Sequence, residues 1–475
     1  MNASRRHFLN TAARLAAAAS PLGARASAPF ALSLAGLGAM AAQSASAADT
    51  SGPHKALVCL FMSGGNDSHN WVVPTDASGY ADYAAARREL AWPAAKLLPI
   101  TSSTQAGGRS FGMPQELQPL QAMYEAGRCA VLANVGTLEQ AITKAQYLAG
   151  SNLPSKLFSH NDQQSMWQSL SPEGALSGWG GRMGDLLMSA NQNPVFTAIS
   201  SAGNAVFLTG SGVTQYQVGT GGAVSVGALN RGWTQGSTTA AAALRRAIQS
   251  SGGNEFQSEY TRVMQRSLDT SAMLQSAMAA TPLAALPTVP IVLPNGSSLA
   301  LDKDNLAQQL RVVAQMIGAA PRLGMRRQVF MVNIGGFDSH ANQLKDQPLL
   351  MARVAQSVSW FFSALDGLGM SSNATLFTAS DFGRTLNSNG QGCDHGWGSH
   401  HFVAGGAVKG RQIYGKFPST ALGSADDIGS GRLLPSTSVT EYAATMGRWM
   451  GLSSTELATV LPGLGNFGTP NLGFL

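Results

Sequence analysis

Residues 374–402 read ATLFTASDFGRTLNSNGQGCDHGWGSHHF. The opening run, Ala374 to Ala379, is apolar and β-branched enough to form a short buried strand. It ends at Asp381. A Gly/Asn-rich loop follows, and Asp394, His395, His400 and His401 then fall within eight residues. The chain has eight histidines, and three of them are here. Metal ligands and acid/base groups come from this small set of side chains and collect on loops at strand ends. A polar turn whose histidines only cap their neighbours would explain one such residue. Two Asp and three His in one window favour a metal site. Cys393 adjoins Asp394 and is a possible fourth ligand.

The same design occurs twice upstream. Lys55 to Met62 is a nearly continuous apolar run, as expected of a central parallel strand buried on both faces. It stops at Ser63-Gly64-Gly65-Asn66-Asp67-Ser68-His69. Gln328 to Ile334 is a second such run, stopping at Gly335-Gly336-Phe337-Asp338-Ser339-His340. In each, two glycines let the chain turn sharply and an Asp follows at the strand's carboxyl end, where open parallel sheets bind ligands. Apart from His7 and His54, every histidine lies within a few residues of an Asp. Such mixed ligation suits Zn²⁺, Mn²⁺ or Fe²⁺ better than Ca²⁺, and two such sites would clamp the attacking and leaving oxygens of an ester.

Strand-like and helix-like stretches alternate through the rest of the chain. Helices are expected over 80–89, 119–127, 302–319, 348–368 and 438–450, and strands over 128–135 and 402–408. Pro348 is tolerable in a first helical turn, and the 438–450 helix reads as a lid or edge element. The alternation predicts an α/β sandwich with a largely parallel sheet flanked by helices. Ser159 and Asn161 both suit a helix start, where Ser159 either caps the helix or meets an anion at the positive dipole end. From about 191 to 294 the chain turns to Gly, Ser, Thr and Ala, with helices over 238–250 and 254–279. This stretch, free of His and Cys, reads as an insertion capping one edge of the core.

Composition bounds the partners. Charged residues are 12% of the chain and the formal charge is +6. Arg5, Arg6, Arg14 and Arg25 precede the first acid, Asp49, so the remainder is near +6 − 4 = +2. Without a clustered basic stripe, nucleic acid is not an expected partner. Residues 4–9, SRRHFL, match the twin-arginine export pattern. An Ala-rich, weakly hydrophobic region and the small-residue site Ala45-Ser46-Ala47 follow, so 1–48 reads as a cleaved leader and 49–475 as the mature domain. The translocase is then a partner, the destination is the periplasm or beyond, and no stable membrane span is expected. Three cysteines argue against a disulfide framework.

The order GGND–SH–GGFDSH–SDFGRT–DHGWGSHHF resembles a family of twin-arginine-exported bacterial proteins, domain-of-unknown-function family 1501. That family sits within the alkaline phosphatase/sulfatase-like superfamily. The resemblance implies an alkaline phosphatase-like α/β fold, one or two divalent ions, and hydrolysis of phosphate or related esters, small or polymer-borne. It puts a first metal ligand on Asp67, a nucleophile on Ser159, and a ligand pair on Asp338 and His340. Asp381 and His395 take the remaining matched ligand positions. The superfamily's Asp-His step is Asp381-Phe382 here, so one imidazole must come from His400, His160 or His69, or a second ion is absent. Arg384 either holds an anionic oxygen or is a capping arginine. No cysteine stands in a C-x-P-x-R setting, which argues against a formylglycine sulfatase. Phe382 keeps open a different class: a metal-holding envelope protein without catalysis.

Overall fold

The computed structural model describes residues 48–223, 229, 237–250 and 254–475. The stretch expected to be a leader, 1–48, lies outside the described residues save for Ala48. Lys55–Met62 (β1) is central to a mixed sheet because neither of its faces is polar. Ala56, Val58, Leu60 and Met62 point into one apolar cluster, and Leu57, Cys59 and Phe61 into another. This is the period-two split of a strand covered on both sides. Other strands of that sheet are Cys129–Gly136 (β2), Ala198–Ser200 (β3), Tyr216–Gly219 (β4), Arg327–Ile334 (β5), Ala374–Ser380 (β6) and Ser399–Gly405 (β7). Across the sheet their order is β2-β7-β6-β1-β5-β3-β4. The pairs β6-β1, β1-β5, β5-β3 and β3-β4 are parallel, and β7 runs antiparallel to β6 and β2. Helices Asn305–Ala319 and Gln343–Gly367 supply the first cluster, and Trp179–Leu187 and Val439–Met450 the second. The α/β sandwich expected from the alternating pattern is thus present. No helix among the described residues is long and apolar enough to cross a membrane.

Four expectations need correction. The stretch 191–294 is not merely a cap: β3 and β4 lie within it and extend the main sheet beyond β5. The sequence shows a strand-like fragment at Val195 to Ile199, overlapping β3, but three or four residues carry too little periodicity to place them in the main sheet. The helix Val439–Met450 is no lid. Its capping box joins Ser438 to Glu441, and Val439, Tyr442, Ala443, Met446 and Met450 are core residues. The helix expected from Pro348 begins earlier, at Gln343, and carries the proline inside. Finally, β7 starts at Ser399, so His400 and His401 are strand residues and not loop residues.

Strands β6, β1 and β5 are adjacent and parallel, so the turns after them share one edge. There Gly64 and Gly65 have φ of +116° and +85°. A Cβ on Gly64 would strike the backbone nitrogen of Asp338, and one on Gly65 the Phe382 ring. Only glycine lets the three strand ends approach so closely.

Candidate metal centre

Four side chains converge at this edge. Asp338 Oδ1 lies 3.1 Å from His340 Nε2 and 3.4 Å from His395 Nε2. Asp338 Oδ2 lies 3.6 Å from His160 Nε2. Ligand atoms of His160, Asp338 and His395 all fall within 4.8 Å of one another. His160 opens the helix His160–Ser169, which brings it across from the far side of the edge.

Each imidazole is fixed from behind by an oxygen. His395 Nδ1 donates to the Phe158 carbonyl at 2.8 Å, since a carbonyl only accepts. His160 Nδ1 bonds to Asp381 Oδ2 at 2.7 Å, and His340 Nδ1 to Asp394 Oδ1 at 3.1 Å. With each Nδ1 as donor, each Nε2 turns a lone pair toward Asp338. His340 Nε2 and His395 Nε2 are only 2.9 Å apart. Two lone pairs cannot face each other at that distance without a shared proton or a cation between them. A tetrahedral ion with bonds of about 2.0–2.1 Å has ligand edges of roughly 3.4 Å. The observed separations bracket that value, so the donor set fits Zn²⁺, Mn²⁺ or Fe²⁺.

Charge supports the same geometry. Burial pushes the Asp338 carboxyl up, but the hydrogen bond and charge of Arg384, with His340 and His160, outweigh it and hold the group below its ordinary range. For Asp394 burial is likewise outweighed, here by His340 and Asn389. Both are therefore anions at neutral pH. The hydrogen bond to Asp381 raises His160 above the ordinary imidazole range, whereas burial lowers His395.

The remaining sequence-predicted residues are placed differently. Asp381 is fully buried and stands one step behind, with Oδ2 also accepting from Gln164 Nε2 at 2.9 Å and Oδ1 from the Gly64 N–H at 3.0 Å. It orients His160 and is not in the converging group. Arg384 is buried and spent: Nε donates to the Gly65 carbonyl, Nη1 to that of Cys393 and, at 3.4 Å, to His340 Nε2, and Nη2 to the carbonyls of Gly64 and Phe337 and to Asp338. It positions Asp338 and is not free to hold substrate. Asp67 is paired with Arg87 and is not in the converging group. His400 is sealed in the core, its ring stacked on Phe417 at 4.4 Å and its Nδ1 accepting the Asn134 N–H. Cys393 is buried, its thiol pushed up to about 12 chiefly by that burial, and it donates to Gln343. The Ser159 hydroxyl, beside His160 in sequence, donates to Asp162 at 2.8 Å, and no side-chain cap bond forms at that helix start. The residue that the ligand assignment underrated is His160, whose only signal was the recurrent Asp–His proximity.

The profile of the family described as "Protein of unknown function (DUF1501)" matches residues 54–461, and the chain belongs to that family. No curated protein matches it. Among solved structures, a sulfatase from Pseudoalteromonas sp. is similar with a TM-score of 0.34 and 10% identity, over 90% of this chain and 75% of that one. An alkaline phosphatase variant, PafA, gives 0.30 and 8%, over 70% of this chain and 64% of that one, so the chain spans under two thirds of its length. The lipoteichoic acid synthase LtaP of Listeria monocytogenes gives 0.29 and 8%, over 88% and 78%.

Proposed function

We propose that this member of the DUF1501 family is a metal-dependent hydrolase of phosphate or related anionic esters, exported through the twin-arginine route and active outside the cytoplasm. The observation that carries the reading is the convergence of three Nε2 lone pairs on Asp338, each ring tethered through Nδ1. His160, Asp338, His340 and His395 would hold the ion. Bound there, a divalent ion supplies Lewis-acid stabilisation of charge growing on the ester oxygens. Ser159 is assigned the attack: its Oγ bonds to the phosphorus or sulfur, its proton passes to Asp162, and the ester oxygen leaves. Water then releases the acid from Ser159. Asp381, Asp394 and Arg384 keep the ligands in place.

The test is hydrolysis of p-nitrophenyl phosphate, bis(p-nitrophenyl) phosphate and p-nitrophenyl sulfate by protein reconstituted with Zn²⁺ or Mn²⁺, beside elemental analysis. Turnover that chelator abolishes, and that His395→Ala lacks, supports the hydrolase. One observation favours a second reading, a metal-holding envelope protein without catalysis. The Phe382 ring packs against His160 and His395 at 4.8 and 4.5 Å and occupies space beside the ligands. Stoichiometric metal with no turnover of any ester above the His395→Ala background would establish that reading instead.

A further inference from the structure

Resting on the metal-centre reading above, we infer that the centre takes one divalent ion per chain, and that the buried guanidinium of Arg87 permanently holds the carboxylate a second ion would need. Three adjacent strand ends deliver Asp67, Asp338 and Asp381. Two of these carboxylates face imidazoles. The third, Asp67, faces no imidazole with its carboxylate: Arg87 Nη2 and Gln343 Nε2 both bond to its Oδ2. The side chains of Asp67 and Arg87 are completely buried, whereas that of Asp338 is 49% exposed.

Arg87 cannot easily move aside. It lies at the end of the helix Ala77–Arg87, and its Nη1 reaches the carbonyls of Thr385 and Leu386, on the loop that also carries Arg384. Gln343 is clamped in turn by Gln347, whose own Nε2 bonds to the Asp67 carbonyl. The carboxylate is therefore neutralised by a charge on the chain itself. Asp338 is likewise paired with an arginine but is half exposed; at the sealed Asp67 a divalent ion would put two cations on one anion in a dry interior, where the repulsion is strong. Among the described residues Asp67 Oδ1 has no hydrogen-bond partner, and Asp67 lines a cavity of about 40 Å³ with Phe337, Asp338, Asp346 and Gln347. That volume suits a single water. His69, the histidine beside Asp67, gives its ring nitrogen to the Arg384 carbonyl at 3.1 Å and not to the carboxylate.

The experiment is metal stoichiometry on the full mature chain, loaded with excess Zn²⁺ or Mn²⁺ and freed of unbound ion. The expected count is one ion in the wild type, one in Asp67→Asn, and none in His160→Ala with His395→Ala. Asp67→Asn combined with Arg87→Met removes both buried charges together and is also expected to hold one. Two ions in the wild type, or one fewer in Asp67→Asn than in the wild type, overturns the inference. Should neither Asp67 variant fold, the wild-type count alone decides between one and two. No ion in the wild type overturns the metal-centre reading instead, so the two failures are distinct.

Discussion

The turns after β1 and β5 are near copies in sequence, Gly-Gly-Asn-Asp-Ser-His against Gly-Gly-Phe-Asp-Ser-His, and they do opposite things. Both strands are parallel neighbours, and both Asp residues pair with an arginine. After β5, Asp338 is half exposed and three imidazoles meet it. After β1, Asp67 is sealed, and its neighbour His69 turns to a backbone carbonyl. What separates them is the surroundings. The helix Ala77–Arg87 brings a guanidinium onto Asp67, while His160 and His395 are carried to Asp338 by segments far along the chain. A strand-end motif thus supplies a carboxylate, and the elements packed around it decide whether it is sealed with its arginine or left open to meet imidazoles.

The largest effect should come from breaking the sealed pair. Arg87→Met leaves a buried carboxylate without a counter-charge, which costs about 3–5 kcal/mol. Unfolding midpoints in urea should fall accordingly, with or without chelator. Asp67→Asn with Arg87→Met should recover most of that loss. If the single and double variants were equally unstable, Arg87 would matter for packing and not for charge.

Asp338→Asn probes the open counterpart and should act on chemistry more than on folding. Metal content should fall below a tenth of an equivalent, and ester hydrolysis by roughly a hundredfold or more, the scale of a lost ion contact. The stabilisation that metal gives the wild type, read as the melting shift on adding chelator, should vanish in this variant. A variant that kept its ion would remove Asp338 from the centre.

A smaller loss is expected at Asp381→Asn. This residue tethers His160 and does not join the converging group, and replacing such an outer partner weakens metal affinity by about 10–100-fold. The fold-change is read by competition with a chromogenic chelator. Complete loss of metal at saturating concentration would make Asp381 a direct ligand.

The sequence made much of this legible. The apolar runs of β1, β5 and β6 marked a doubly covered parallel sheet because burial on both faces erases alternation, and the Asp at each end followed from strand length. The family resemblance singled out Asp338, His340 and His395, which close an apolar run or sit in the His-rich loop, and the structure brings the three side chains together. The partners that cross the fold were not legible. Nothing in the local sequence says that Arg87 reaches Asp67 or that Arg384 is consumed by four carbonyls and Asp338, because those contacts depend on how helices pack over the edge. His400 was misjudged on one point of register. With β7 starting at Ser399, its ring falls inside the sheet against Phe417.

The mildest test concerns His69, the sealed histidine of the β1 turn. Burial lowers His69 to about 4, and Arg87 adds to the effect while Asp67 opposes it. Unfolded, the same imidazole titrates near 6.5. Between those values the unfolded chain binds a proton that the folded chain refuses. Stability from this residue is therefore complete above pH 6.5 and is lost as pH falls toward 4, by at most about 1.4 kcal/mol per pH unit. His54, lowered to about 4, and His401, to about 3, contribute in the same direction. Chelated protein should be used so that loss of the ion does not enter. Urea midpoints measured from pH 7 to 4.5 should fall steeply in the wild type. His69→Gln retains a donor for the Arg384 carbonyl and should show a slope shallower by one proton between pH 5 and 6. If instead His69→Gln ran parallel to the wild type, His69 would not be sealed, and the β1 turn would be as open as the β5 turn.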